Sequence, residues 1–268
     1  MRGGSAGIAT LLRHAWARHR MPLIPIALAV ALFEFLLTRI APAMTEVNWM
    51  NTLLNTLPPE ILQLVGNDIA STPGKFLALG YGHPFFVILL GTWVVRTSNA
   101  AIAGEVGTGT MDLLASRPVR RWQFVAAGFL ASAIGLTLII VSAWIGTAVG
   151  VSTRQLGAVA TDFIPVAAGA WLLFAAWTGV GLLVSSTRRD GGQAIGWTTA
   201  ILVVSFVLDY LARLWTPISG LRPFSLFWYY EPPAIFTDGL PVATIIVLTV
   251  TLVVTLLAAI AVINRRDL

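Results

Sequence analysis

Three observations predict an all-α integral membrane fold with six transmembrane helices. Only 11% of the 268 residues are charged, 57% are hydrophobic, and the mean hydropathy is +0.82. A globular domain carries about 25% charged residues, so this chain lacks the polar groups to cover a water-facing surface. Second, uncharged stretches recur at the length that crosses a bilayer, about 20 helical residues for roughly 30 Å of hydrocarbon. Third, the arginines cluster in alternate connections between those stretches. Together these exclude a soluble domain, a disordered chain and a nucleic-acid binder, despite a pI near 10.4. The absence of cysteine excludes disulfides, thiolate metal sites and a cysteine nucleophile.

Residues 1–22 form the first element. Ile8, Leu11, Leu12, Ala15 and Trp16 fall at i, i+3, i+4, i+7 and i+8, one apolar helical face, with Arg13, His14 and Arg18 off it. A basic helix of this kind is expected to lie in the cytoplasmic interface, ending before Met21–Pro22. The spans follow at about 23–41, 81–102, 123–149, 163–186, 194–214 and 241–263. The first lies behind a 20-residue amphipathic leader, so it is read as a span and not as a signal peptide. Segment 42–80 is a long extracytoplasmic loop, with a short surface helix opened by Pro58 and Pro59. Segment 215–240, rich in proline and aromatics from Pro217 to Pro233, suggests broken or re-entrant helix at the outer interface. Without repeats or a low-complexity linker, residues 1–268 read as a single membrane domain.

Charge bias orients it. With both termini cytoplasmic, eleven basic residues lie inside, at 2, 13, 18, 20, 117, 120, 121, 188, 189, 265 and 266. Five lie outside or at outer helix ends, Arg39, Lys75, Arg154, Arg213 and Arg222. That asymmetry obeys the positive-inside rule.

The 103–122 turn between the second and third spans carries the most information. Thr110 can cap a short helix holding Met111, Leu113 and Leu114, which Pro118 helps to stop. Such a helix is too short and apolar to stand alone in water. Flanked by Arg117, Arg120 and Arg121, it wants a groove on another protein. The alternative is an ordinary hairpin whose arginines only enforce topology.

Glu105-x-x-x-Gly109–Thr110, then Leu113–Leu114 and Pro118-x-Arg120, resembles the coupling segment of ABC type 2 permeases, the membrane subunits of ATP-binding-cassette exporters. The interfacial leader, the six spans, the structured outer loop before the last span and the short arginine-rich tail are similar to that family too. The resemblance implies that Glu105 to Pro118 docks into a cleft of a separate ATPase subunit. It also implies that two permease chains, identical or paralogous, join two ATPase chains. Spans 1, 2 and 5 would line a central cleft, and ATP with Mg would sit on the partner, none bound by this chain.

The residues agree with that division of labour. Lys75 is the only lysine, and a phosphate-binding loop around Gly74–Lys75 would need glycine and a hydroxyl residue where Ile69 and Phe76 stand. No catalytic site assembles either. His14, His19 and His83 open no H-E-x-x-H motif, Ser219–Gly220 lacks the preceding glycine of a rhomboid-like site, and Arg117–Pro118 has no companions of a lipid phosphatase. The rival readings are a secondary transporter and a non-transporting structural membrane protein.

Glu34, Arg96 and Asp209 fall inside spans, where an unpaired charge costs a few kcal/mol or more. Asp209 and Arg213, four apart, can pair. Arg96 can snorkel to the cytoplasmic interface. Glu34 has no partner visible in sequence and is the candidate group of a substrate path. Small residues in the third and fourth spans, among them Gly128, Gly135, Gly179 and Gly181, permit close helix packing. The expected cargo is amphipathic or hydrophobic (an antibiotic or other drug, a peptide or a lipid), exported across a prokaryotic inner or plasma membrane.

Overall fold

The computed structural model describes residues 3–45, 72–109, 120–154 and 156–265, and the surface helix expected after Pro58 lies outside them. Every described element is helical. Among the described residues six stretches are long and apolar enough to cross a membrane: Gly7–Ala43, Pro73–Ala100, Trp122–Ser152, Ala160–Thr187, Gly191–Leu214 and Val242–Arg265.

The first helix, α1 (Gly3–Thr45), runs unbroken through Pro22 and Pro25, where the sequence marks the boundary between leader and span. A proline removes one helical N–H and crowds the carbonyl four residues back. Membrane helices tolerate this because neighbouring groups satisfy the freed carbonyl. The leader's apolar face also finds protein: Leu11 is buried in a small core with Ile102, Phe124, Val125, Ala259 and Ile263.

One short helix and a turn precede the second span. Thr72 caps α2 (Pro73–Gly80) by accepting from the Lys75 N–H at 3.3 Å, with Pro73 in the first turn. This eight-residue helix lies within the expected 42–80 loop. It is held because Leu77 and Ala78 are fully buried. Past Tyr81–Gly82, His83 caps α3 (Pro84–Ala100) through Nδ1, which accepts from the Phe85 N–H at 3.2 Å. One turn, α4 (Ala103–Gly107), follows.

The longest partner of α1 is α5 (Trp122–Ser152). Their backbones approach at Gly146, where any Cβ would run into the Ala31 carbonyl oxygen. A 3-10 turn, Ala160–Phe163, opens α6 (Ile164–Thr187), the central helix, whose Leu173, Phe174 and Trp177 are buried. Against it pack α3, α5, α7 (Gly191–Leu214) and α9 (Val242–Arg265).

Hydroxyls and one amide stitch these helices together where no water competes. Thr97 donates to Ser132 Oγ at 2.8 Å, and the Trp93 indole N–H to the Ser132 carbonyl at 3.1 Å. Asn99 Nδ2 donates to Thr198 Oγ at 3.1 Å. Ser185 Oγ accepts from the Ala103 N–H at 3.0 Å and donates to the Asn99 carbonyl at 3.2 Å. Such bonds contribute about 0.6 kcal/mol each between membrane helices. Here they fix α3 against α5, α6 and α7.

At the opposite end, residues 215–240 break into two 3-10 stretches, Thr216–Phe224 and Leu226–Tyr229, and the short α8 (Pro232–Asp238). Asp209 accepts from Arg213 Nε at 3.0 Å and also from Arg222 Nε at 3.2 Å. Arg213 in turn donates to Glu231 at 3.1 Å, so four charges tie the connection down onto α7. Spacing reveals the first pair; the Arg222 and Glu231 contacts require the folded connection.

Candidate functional site

The turn after α3 is built from glycines and one carboxylate. Gly104, Glu105 and Gly107 lie on α4, and Thr108 closes it by donating its hydroxyl to the Gly104 carbonyl at 2.9 Å. Gly109 then takes φ +69, a left-handed conformation that glycine adopts without steric cost. A Cβ on that glycine would meet open space.

Glu105 points inward. Its side chain is only 6% exposed, and Oε1 accepts from Arg18 Nη1 at 2.7 Å with His14 Nε2 at 3.3 Å. Both partners stand on α1, four residues apart and so on one helix face. They are far better exposed, at 40% for Arg18 and 52% for His14, which leaves the pair partly open to screening. In this arrangement its carboxylate ties the turn to α1.

On its other side the turn touches the start of α7. A Cβ on Gly191 would stand 3.3 Å from Gly104 Cα, and one on Gly107 would stand 3.4 Å from the Gly191 nitrogen. The α7 N-terminus is itself fixed by Asp190, whose Oδ1 accepts from the Gln193 N–H at 2.8 Å. At the start of α5, Gln123 Oε1 accepts from the Arg120 N–H at 2.7 Å and Arg120 is exposed. Arg121 Nη1 reaches the Ile263 carbonyl at 3.3 Å, joining α5 to the end of α9.

Of the residues expected to couple, Glu105, Gly109 and Arg120 are described, and they stand at the two margins of the turn. Thr110, Met111, Leu113, Leu114, Arg117 and Pro118 lie outside the described residues. Sequence reasoning missed Arg18 and His14 as partners of Glu105, and Gly191 as the neighbour of Gly104. A signal existed for the first pair. An arginine and a histidine spaced i, i+4 on a helix call for an acceptor, and few acidic residues share their side of the predicted topology.

Glu34 is wholly buried in the C-terminal half of the first span, against Gly80, with Thr147 beside it. Neither carboxyl oxygen makes a hydrogen bond of ordinary geometry. Thr147 instead pairs with Tyr81 Oη at 3.0 Å. A separate apolar groove of about 590 Å³ opens between α3 and α7, and Glu34 does not line it. Among the described residues no cluster of three or more His, Asp or Glu could hold a metal ion.

A family model described as "ABC-2 family transporter protein" matches residues 27–223, more than half of the chain. The match takes in the first five spans and the turn after α3. No curated protein matches the chain.

Proposed function

Since the chain belongs to the ABC-2 family of transporter proteins, and is by that membership a membrane permease component of an ABC transporter, we propose that its 103–122 turn docks on a separate ATPase subunit and drives export. Members of this family normally work with such a subunit. The observation that carries the reading is the threefold attachment of the turn. It continues from α3, it is ion-paired to α1 through Glu105 and Arg18, and its glycines rest on the start of α7. These are spans 2, 1 and 5. A displacement of the turn therefore reaches at once the three helices that would border a central cleft.

In this reading residues 1–268 form one permease domain with both termini in the cytoplasm. The leader, residues 1–22, lies along the cytoplasmic interface. Gly109, Thr110, Met111, Leu113, Leu114, Arg117, Pro118 and Arg120 face the ATPase, and Glu105 anchors them from within. ATP and Mg bind the partner subunit, and a second copy or a paralogue completes the dimer in the lipid of a prokaryotic inner membrane. The cargo is amphipathic or hydrophobic. Glu34 joins its path in the state that separates α1 from α2. ATP favours the outward-open cleft because it binds the closed ATPase pair more tightly, and cargo is released there because the outward-open cleft binds it more weakly.

A single introduced thiol tests the docking. The chain has no cysteine, and its one lysine, Lys75, lies in the opposite connection. Leu113→Cys with a thiol-to-amine cross-linker should therefore give an adduct to the ATPase subunit. An intact complex that yields no such adduct would contradict the assignment of this turn.

A further inference from the structure

The groove between α3 and α7 combines two features that the docking of an ATPase does not use. Its walls are apolar, with Val87 and Ile88 from α3 facing Leu202 and Phe206 from α7. It extends from Pro84 to Arg96 along α3, about 18 Å at 1.5 Å per residue. At the end nearer the 103–122 turn stands Arg96, an exposed guanidinium that makes no hydrogen bond or ion pair with any described residue. No acidic residue lines the groove. The carboxylates that could have answered Arg96 are engaged or remote: Glu105 is held by Arg18, and Asp209 by Arg213 and Arg222.

A snorkelling arginine needs only the nearby interface. Arg96 instead opens on one end of a long, preformed apolar trough of 590 Å³, a size typical of small-molecule sites. Lipid-facing arginines are costly, and a low-dielectric wall strengthens the attraction of an arginine for an anion. We propose that this groove binds the transported molecule and that the cargo is an anionic amphiphile. Its carboxylate, sulfate or phosphate meets Arg96, and its alkyl or flat apolar body lies along α3 and α7. This deepens the permease reading and rests on it for the step of transport, but the binding itself is independent of the ATPase.

Photolabelling of the full chain, with whatever subunits accompany it, tests the assignment in nanodiscs of neutral phosphatidylcholine. The probes are a diazirine-bearing C16 fatty acid and the alcohol of the same chain, with labelled positions mapped by mass spectrometry. The acid should mark α3 and α7 about tenfold more than the alcohol, the usual scale of one charge-assisted contact. Arg96→Gln should abolish that preference and Arg96→Lys should keep most of it. Equal labelling by acid and alcohol in the wild-type chain would overturn the proposal without any variant. So would an unchanged preference in Arg96→Gln. Because the readout is on this chain, absence of an ATPase from the preparation would count against the permease reading and not against the groove.

Discussion

Glu105→Ala should leave a chain that folds and inserts, yet exports its cargo about tenfold more slowly while the ATPase continues to hydrolyse ATP. The tenfold figure lies within the 5–150-fold span of coupling free energies of about 1–3 kcal/mol. The stability cost is smaller than burial of the carboxylate suggests. Arg18 and His14 are 40% and 52% exposed, so loss of Glu105 releases them to water and does not strand them. A screened pair of this kind is worth about 1 kcal/mol or less. What the variant removes is the link between the turn and α1. The exchanged pair Arg18→Glu with Glu105→Arg should recover part of the export, because the link needs opposite charges and not their order. Export at the wild-type rate in Glu105→Ala would show that the ion pair transmits nothing.

The largest stability effect is expected at Gly146. A side chain there meets the backbone carbonyl of Ala31, which cannot swing aside as a side-chain tip can. α1 would have to move off α5, the most extensive helix contact in the molecule. Overpacking typically costs about 1–3 kcal/mol, and contact with backbone puts Gly146→Leu at or above the upper end. Each kcal/mol lowers the unfolding midpoint by about 2–4 °C in a chain of this size class. The variant should therefore lose about 6 °C or more in detergent, or fail to accumulate. Gly196→Ala on the exposed face of α7 has open space around the new methyl group. It should be neutral or slightly stabilising, since alanine is the better helix former by about 1 kcal/mol.

Much of this architecture is legible in the chain because lipid imposes a simple rule. Every crossing needs some twenty apolar residues in a helix, since no backbone group can be left unsatisfied in hydrocarbon. Among the described residues stand six helical stretches long and apolar enough to cross, as the sequence predicts. Errors arise where a local rule meets tertiary packing. Pro22 and Pro25 argue for a break in α1, yet the helix continues past them. Thr72–Pro73 is a good helix start, but eight residues are too few for a span and the surrounding stretch reads as loop.

The functional turn divides in the same way. Its glycines, its arginines and the family resemblance are visible in order along the chain. Burial of Glu105 is not, because its partner Arg18 lies 87 residues earlier and meets it only once α1 has packed along the bundle. The groove beside Arg96 is likewise invisible, since it exists only where α3 and α7, about a hundred residues apart, come side by side.

Membership of the ABC-2 family makes a separate ATPase the central requirement of the account. The most direct test is purification of the tagged chain from its native membrane in mild detergent, with partner masses and vanadate-sensitive ATP hydrolysis measured on the product. The account predicts an ATPase subunit at one-to-one stoichiometry and hydrolysis that vanadate stops. A chain that purifies alone and is inert towards ATP would contradict it.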